Sequence, residues 1–225
     1  MARKEHALIV AGGKGTRIRS SLPKQFLTLH GKPVLMHTLE AFFRYSPDLS
    51  VVLVLPEDEL KKWEGLVAKH PISGKVVVQT GGQTRFQSVR RGLGRLSGDG
   101  LVAIHDGVRP LVSTDIIGAS FRLAAVHKTA VAAVRLKESI RMTDQDTTRA
   151  MDRSSFRLIQ TPQTFDLDLI QRAYEIQETP DLTDDASVAE RSGHTISLFE
   201  GSYENIKITT AEDLIVAEAL LGSRK

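Results

Sequence analysis

At 225 residues the chain can bury a full core, and 41% hydrophobic with 25% charged residues is the composition of an ordinary globular protein, not a disordered or membrane-embedded one. A formal net charge of +3, with no run of Lys or Arg longer than two, leaves no footprint for nucleic acid but suits a small anionic substrate. With no cysteine, disulfides and thiolate metal sites are excluded, and the apolar run Ala7-Leu8-Ile9-Val10 is too short for a signal-peptide core or a membrane span, so the expected location is cytoplasmic.

Short β-rich apolar runs alternate with amphipathic stretches along the chain. Strands are expected over residues 7–10, 51–55, 75–79 and 101–105, with helices over 33–45, 57–70 and 85–96 between them. Pro56, Pro71 with Gly74, and Gly98 with Gly100 punctuate these units where loops are needed. A further cycle places a helix over 114–127, capped by Thr114, before a strand over 130–135. The rhythm then breaks. Residues 138–142 and 155–160 read as two short strands around a polar, Asp-rich turn, a hairpin-like arm at about 137–160 that leaves the main sheet. Helices at about 166–177 and 184–192, a strand at 195–199 and a closing helix at 211–221 follow. The alternation predicts right-handed βαβ crossovers, hence a Rossmann-like α/β fold in one domain spanning 1–225, with a mainly parallel sheet flanked by helices and a protruding β-arm.

The first strand runs into Ala11-Gly12-Gly13-Lys14-Gly15-Thr16-Arg17, followed by Leu22-Pro23-Lys24-Gln25. Three glycines let backbone N–H groups approach a ligand, and three cations stand beside them, a combination that reads as a polyphosphate site. A P-loop is excluded, because Lys14 lies between glycines where the motif needs it after the second one. A dinucleotide fingerprint fails too, since Ile18 stands where the third glycine belongs. No Gly-x-Ser-x-Gly elbow occurs, and no two histidines have zincin spacing. Asp106 closes the strand over 101–105 at the edge where open α/β sheets place ligands.

Further blocks follow in order: Gly81-Gly82-Gln83-Thr84-Arg85-Phe86-Gln87-Ser88-Val89, His105-Asp106-Gly107-Val108-Arg109-Pro110, Asp152-Arg153, Thr161-Pro162-Gln163, Thr183-Asp184-Asp185-Ala186-Ser187 and Asn205-Ile206-Lys207-Ile208-Thr209. With these blocks, spread over essentially the whole chain, the sequence resembles the IspD family, the 2-C-methyl-D-erythritol 4-phosphate cytidylyltransferases of isoprenoid precursor synthesis. The resemblance implies the nucleotide-diphospho-sugar transferase type of sheet, transfer of CMP from CTP to 2-C-methyl-D-erythritol 4-phosphate, Mg²⁺ or another divalent cation as cofactor, and a homodimer joined through the arm.

It also implies residue roles. Arg17 and Lys24 stabilise the transition state. Ala11, Gly12, Gly13, Gly15, Gly82, Gln83, Ser88, Asp106 and Gly107 take CTP, and Asp106 assists a metal held mostly by the phosphates. Asp106, Arg109, Ser139, Arg153, Thr183 and Lys207 take the acceptor, with Arg153 and Lys207 positioning its phosphate. In this pattern Gln83 stands where some members carry an acid, Ser139 where threonine is frequent and Asp185 where glutamate is frequent. Ribitol-5-phosphate cytidylyltransferases share the first loop, and Asp152-Arg153 with Gln87-Ser88-Val89 favour methylerythritol phosphate. A non-catalytic nucleotide-binding domain is a further alternative, against which the intact Arg17 and Lys24 speak.

Overall fold

The computed structural model describes residues 3–12 and 22–224. The glycine-loop residues Gly13, Gly15 and Arg17 therefore lie outside the described residues. The first half of the chain contains β1 (Lys4–Val10), the short hairpin β2 (Thr28–Leu29) and β3 (Lys32–Pro33), α1 (Val34–Tyr45), β4 (Ser50–Leu55), α2 (Leu60–Lys69), β5 (Val76–Thr80), α3 (Arg85–Leu93) and β6 (Gly100–Asp106). The second half contains α4 (Thr114–His127), β7 (Thr129–Arg135), β8 (Ile140–Asp144), β9 (Thr147–Met151), β10 (Arg157–Asp166), α5 (Leu167–Ala173), α6 (Asp185–Arg191), β11 (Leu198–Glu200) and α7 (Ala211–Gly222).

Seven strands form the main sheet in the order β11-β7-β10-β6-β1-β4-β5. All run parallel except β10, which is antiparallel to both β6 and β7. β1 sits inside the sheet, so both of its faces are covered and its sequence is a continuous apolar run instead of an alternating one. Ala7 and Ile9 pack on one face with Phe42 of α1 and Phe121 of α4. Leu8 and Val10 pack on the other with Val89 of α3 and Ile170 of α5. The chain moves outward from β1 through β4 to β5 and then returns to β6 on the other side of β1. That reversal opens a crevice at the carboxyl ends of β1 and β6, where Val10 is paired with Asp106.

Four expectations need correction. The cap of α4 is Ser113, whose hydroxyl accepts the Ile116 N–H at 3.2 Å, one residue earlier than the expected Thr114. Residues 57–70 divide into a 3₁₀ turn, Glu57–Glu59, and α2. The strand expected over 195–199 is confined to Leu198–Glu200. The arm is a hairpin of β8 and β9, paired from Ile140↔Met151 to Asp144↔Thr147, whereas residues 157–160 belong to β10 and extend the main sheet. The apolar positions Phe156 and Leu158 suggested the wrong hairpin partner. Thr147 and Thr148 are good strand formers without an apolar alternation to announce them.

Candidate active site

A cleft of about 330 Å³ lies at the crevice, lined by Ala11, Gly12, Lys24, Gly82, Gln83 and Ser88, with Asp106 and Lys207 at one end. A second depression of about 300 Å³ shares Arg85, Asp106 and Lys207 with it and adds Arg109, Thr183, Asp184 and residues of the β10 bulge. Two half-sites thus meet at one buried carboxylate.

Asp106 is only 6% exposed, and its Oδ2 lies 3.0 Å from Arg109 Nε and 3.2 Å from Lys207 Nζ. Burial opposes ionisation, but Lys207, Arg85 and Arg109 together hold the carboxyl well below the usual carboxylate range. The acid is therefore charged at every pH at which the chain would work. Its backbone is fixed as firmly. The Asp106 N–H donates to Thr161 Oγ1 at 3.1 Å, and that hydroxyl pairs with His105 Nδ1 at 3.0 Å. The Arg109 carbonyl, 3.3 Å from His105 Nε2, can only accept, so the ring proton sits on Nε2 and Nδ1 accepts the Thr161 hydroxyl proton. Burial pushes His105 down to about 3, so this imidazole is neutral and structural. The C-terminal segment closes the corner: Arg109 Nη1 donates to the Asn205 carbonyl at 2.8 Å, and the Ile208 N–H donates to the Val108 carbonyl at 2.9 Å. Ile208 is fully buried, which anchors the backbone beside Lys207.

On the other side of the cleft, Thr84 caps α3 by accepting the Gln87 N–H at 3.1 Å. Ser88 Oγ donates to the Thr84 carbonyl at 2.8 Å and accepts the Gly82 N–H at 3.1 Å, while the Gln83 N–H donates to Gln87 Oε1 at 3.1 Å. The Ser88 hydroxyl thus ties the Gly81-Gly82 turn onto α3. A β-carbon at Gly82 would lie 2.3 Å from Gln87 Cβ, so the turn needs glycine there. Gly107 has a packing duty: its N–H donates to the Val10 carbonyl at 2.8 Å, and a β-carbon would stand 2.9 Å from Ala11 Cβ.

Lys24 opens a 3₁₀ turn, Lys24–Phe26, after Pro23. The adjacent Gln25 is fully buried and reaches back to the loop, its Nε2 donating to the Ala11 carbonyl at 2.9 Å and to the Glu59 carboxylate. Gln25 thereby holds Lys24 against the beginning of the glycine loop. Sequence spacing does not reveal this role, because its partner Glu59 lies 34 residues away.

The structure brings together Ala11, Gly12, Lys24, Gly82, Gln83, Ser88, Asp106, Arg109, Thr183 and Lys207. It does not bring Ser139 or Arg153 there. Both are exposed beside the arm, and the Arg153 guanidinium donates to the Lys137 carbonyl of its own chain. Among the described residues, no three His, Asp or Glu side chains converge on a metal position, and no helix is long and apolar enough to cross a membrane. Arg85, which lines both depressions, was not expected in the site.

The family model described as IspD, 2-C-methyl-D-erythritol 4-phosphate cytidylyltransferase, matches residues 5–223. Curated proteins of that name from Bacteroides fragilis and Porphyromonas gingivalis are 49% identical over 215 residues, covering 96% of this chain and 98% of the relative, and 47% identical over 226 residues, covering 99% and 100%. Among solved structures, a 4-diphosphocytidyl-2C-methyl-D-erythritol synthase from Anaerococcus prevotii aligns with a TM-score of 0.84 at 30% identity, covering 98% of this chain and 96% of that one. The cytidylyltransferase from Thermus thermophilus aligns with a TM-score of 0.75 at 31% identity, covering 98% of each chain. These matches take in the sheet, the cleft and the Asp106 corner alike, and the chain belongs to the IspD family.

Proposed function

We propose that this chain transfers CMP from CTP to 2-C-methyl-D-erythritol 4-phosphate, giving 4-diphosphocytidyl-2-C-methyl-D-erythritol and pyrophosphate. The observation that carries the reading, within the family, is the junction itself: two anion-sized depressions meeting at Asp106, with Lys207 lining both. CTP occupies the cleft and the acceptor the second depression. An oxygen of the acceptor phosphate attacks the α-phosphorus of CTP, the α–β bridging P–O bond breaks, and the electron pair leaves with pyrophosphate. A phosphate monoester with a second pKa near 6 is mostly dianionic at neutral pH, so no side chain has to remove a proton. This suits a site whose buried histidine, His105, is kept neutral by burial.

Catalysis then rests on positioning and charge. Lys24 and Arg17 offset charge on the α-phosphate and the departing pyrophosphate, and Arg109, Thr183 and Lys207 receive the acceptor. The N–H groups of Gly82 and Gln83 are already committed to Ser88 and Gln87. The backbone functions left there are carbonyl acceptors, which suit the exocyclic amino group of cytosine. Asp106, the one carboxylate among the described cleft-lining residues, is a hard oxygen ligand that fits Mg²⁺ held mainly by phosphate oxygens. Such an ion, when bound, neutralises phosphate charge.

Ser139 and Arg153 serve the acceptor site of a second subunit in a homodimer. The support is the exposure of apolar side chains along the arm and the start of β10: Met142, Phe156, Leu158 and Ile159 are 48%, 39%, 52% and 41% exposed in the single chain. The use of CTP supports a cytoplasmic location.

Relatives at 46–49% identity that carry the methylerythritol phosphate name favour that acceptor over ribitol 5-phosphate. Pyrophosphate release is measured with CTP plus either acceptor, or none. Release with 2-C-methyl-D-erythritol 4-phosphate alone is expected; preference for ribitol 5-phosphate overturns the acceptor assignment, and no release with either overturns the activity.

A further inference from the structure

Arg85 is the first residue of α3, directly after the turn that lines the nucleotide cleft. Its guanidinium makes a two-pronged ion pair with Asp185, Nη1 to Oδ1 at 2.9 Å and Nη2 to Oδ2 at 2.6 Å. Asp185 is the first residue of α6 and is fully buried, and its Oδ1 also accepts the Tyr174 hydroxyl at 2.6 Å. The same segment is held from the sheet by both ends of one amide. Gln163 Nε2 donates to Asp184 Oδ2 at 2.9 Å, and Gln163 Oε1 accepts the Ala186 N–H at 2.8 Å. Residues 183–186 are therefore gripped from α3 by a charge pair and from β10 by a glutamine, which fixes Thr183 at the edge of the acceptor depression.

A buried ion pair is weak evidence for stability, because desolvation offsets most of the attraction. A bidentate pair does fix the plane and position of the guanidinium. Here that guanidinium borders both depressions and contributes to the field on Asp106. We propose that Arg85 and Asp185 are a positioning pair, locking the nucleotide-side turn of α3 to the acceptor-side Thr183 segment of α6 and holding the Arg85 charge beside Asp106. The pair acts through Asp106, Gly82 and Thr183 and makes the geometry of each half-site depend on the other. This inference rests on the cytidylyl transfer proposed above.

The test is steady-state pyrophosphate release by Asp185→Asn, Arg85→Lys, the double variant and Asp185→Glu. Each charge- or fork-breaking single change should raise KM for both CTP and the acceptor and lower kcat about tenfold, because small displacements of positioned groups are costly. The double variant should be no worse than the poorer single one, since a shared interaction is lost only once. Asp185→Glu, which keeps the carboxylate, should recover most of the loss. Tyr174→Phe removes one hydrogen bond from Asp185 and should show the same double KM shift at smaller size, which keeps the test decisive if Asp185→Asn does not fold. A merely structural pair would lower the melting temperature and the active fraction while leaving both KM values in place; that result, or a shift in only one KM, or additive losses in the double variant, overturns the proposal. Absence of turnover in the unmodified protein instead overturns the reaction, and the pair's role with it.

Discussion

The Asp106 corner and the β8–β9 arm are both assigned to the same acceptor phosphate, yet they are built in opposite ways. Asp106 and Arg109 are 6% and 8% exposed, and hydrogen bonds from β6, β10 and the C-terminal segment converge on them. Arg153 and Ser139 are exposed, and Arg153 is attached to its own chain through the Lys137 carbonyl. The buried corner holds its charges in place before any ligand arrives, which is the arrangement that lowers a barrier with no reorganisation at the moment of reaction. The arm has two strands, no core of its own and uncovered apolar side chains at its base, so it needs another surface. One region is finished within a single chain, and the other, in the homodimer proposed above, is finished by a second copy.

Changes at the finished side should be the most damaging. Lys24→Ala removes a fixed cation from the cleft and is expected to reduce kcat by about 10²-fold or more with the fold intact, read by pyrophosphate release and circular dichroism. Asp106→Asn leaves Arg109 and Lys207 sharing no counter-charge, and should lower kcat/KM by roughly 10–100-fold, because one partner of a buried, hydrogen-bonded charge cluster is removed. Arg153→Ala should do less: about a tenfold rise in the acceptor KM, with the CTP KM unmoved. If Arg153 serves the neighbouring subunit, mixing Arg153→Ala with Lys24→Ala protein at low acceptor concentration should restore activity, since each mixed dimer contains one site with both native residues. No recovery on mixing, with subunit exchange verified, places Arg153 in its own chain's site and removes the contrast between the two regions.

A last expectation concerns stability in acid and not turnover. His105 is buried, with its folded pKa lowered to about 3 from an ordinary 6.5. The unfolded chain therefore binds the extra proton between those values, and folding stability falls as pH drops from about 6.5 towards 3. Asp106 adds a second loss below the ordinary carboxylate range, because its folded pKa is depressed and protonation favours the unfolded chain. His105→Gln should flatten the part of the curve between about pH 6 and 4 in denaturant titrations, by up to a few kcal/mol. A slope unchanged by that substitution assigns the acid sensitivity elsewhere.

The same division separates what could be read from the chain. β1, β4 and β6 are buried on both faces, so they stand out as apolar runs, and Lys24, Asp106 and Lys207 sit in motifs that mark them. β10 was harder, because its pairing is antiparallel and its register shifts between Ile159 and Gln163, which breaks the alternation that identifies a strand. The arm was found as a departure from the βαβ rhythm, but its second strand was misplaced because Thr147-Thr148-Arg149-Ala150-Met151 has little apolar pattern. Arg85 carries no sequence mark of its role, because its partner Asp185 is 100 residues away and spacing carries no information about so distant a contact.

In the proposed reaction the two depressions bring an acceptor phosphate and the α-phosphate of CTP together across Asp106. Phosphorus NMR of a reaction with CTP, Mg²⁺ and 2-C-methyl-D-erythritol 4-phosphate tests it directly. A coupled pair of diphosphate resonances that joins the two phosphorus atoms is expected, formed in step with free pyrophosphate and lost in Lys24→Ala. Conversion of CTP to CMP with the acceptor resonance unchanged, or no consumption of CTP at all, contradicts it.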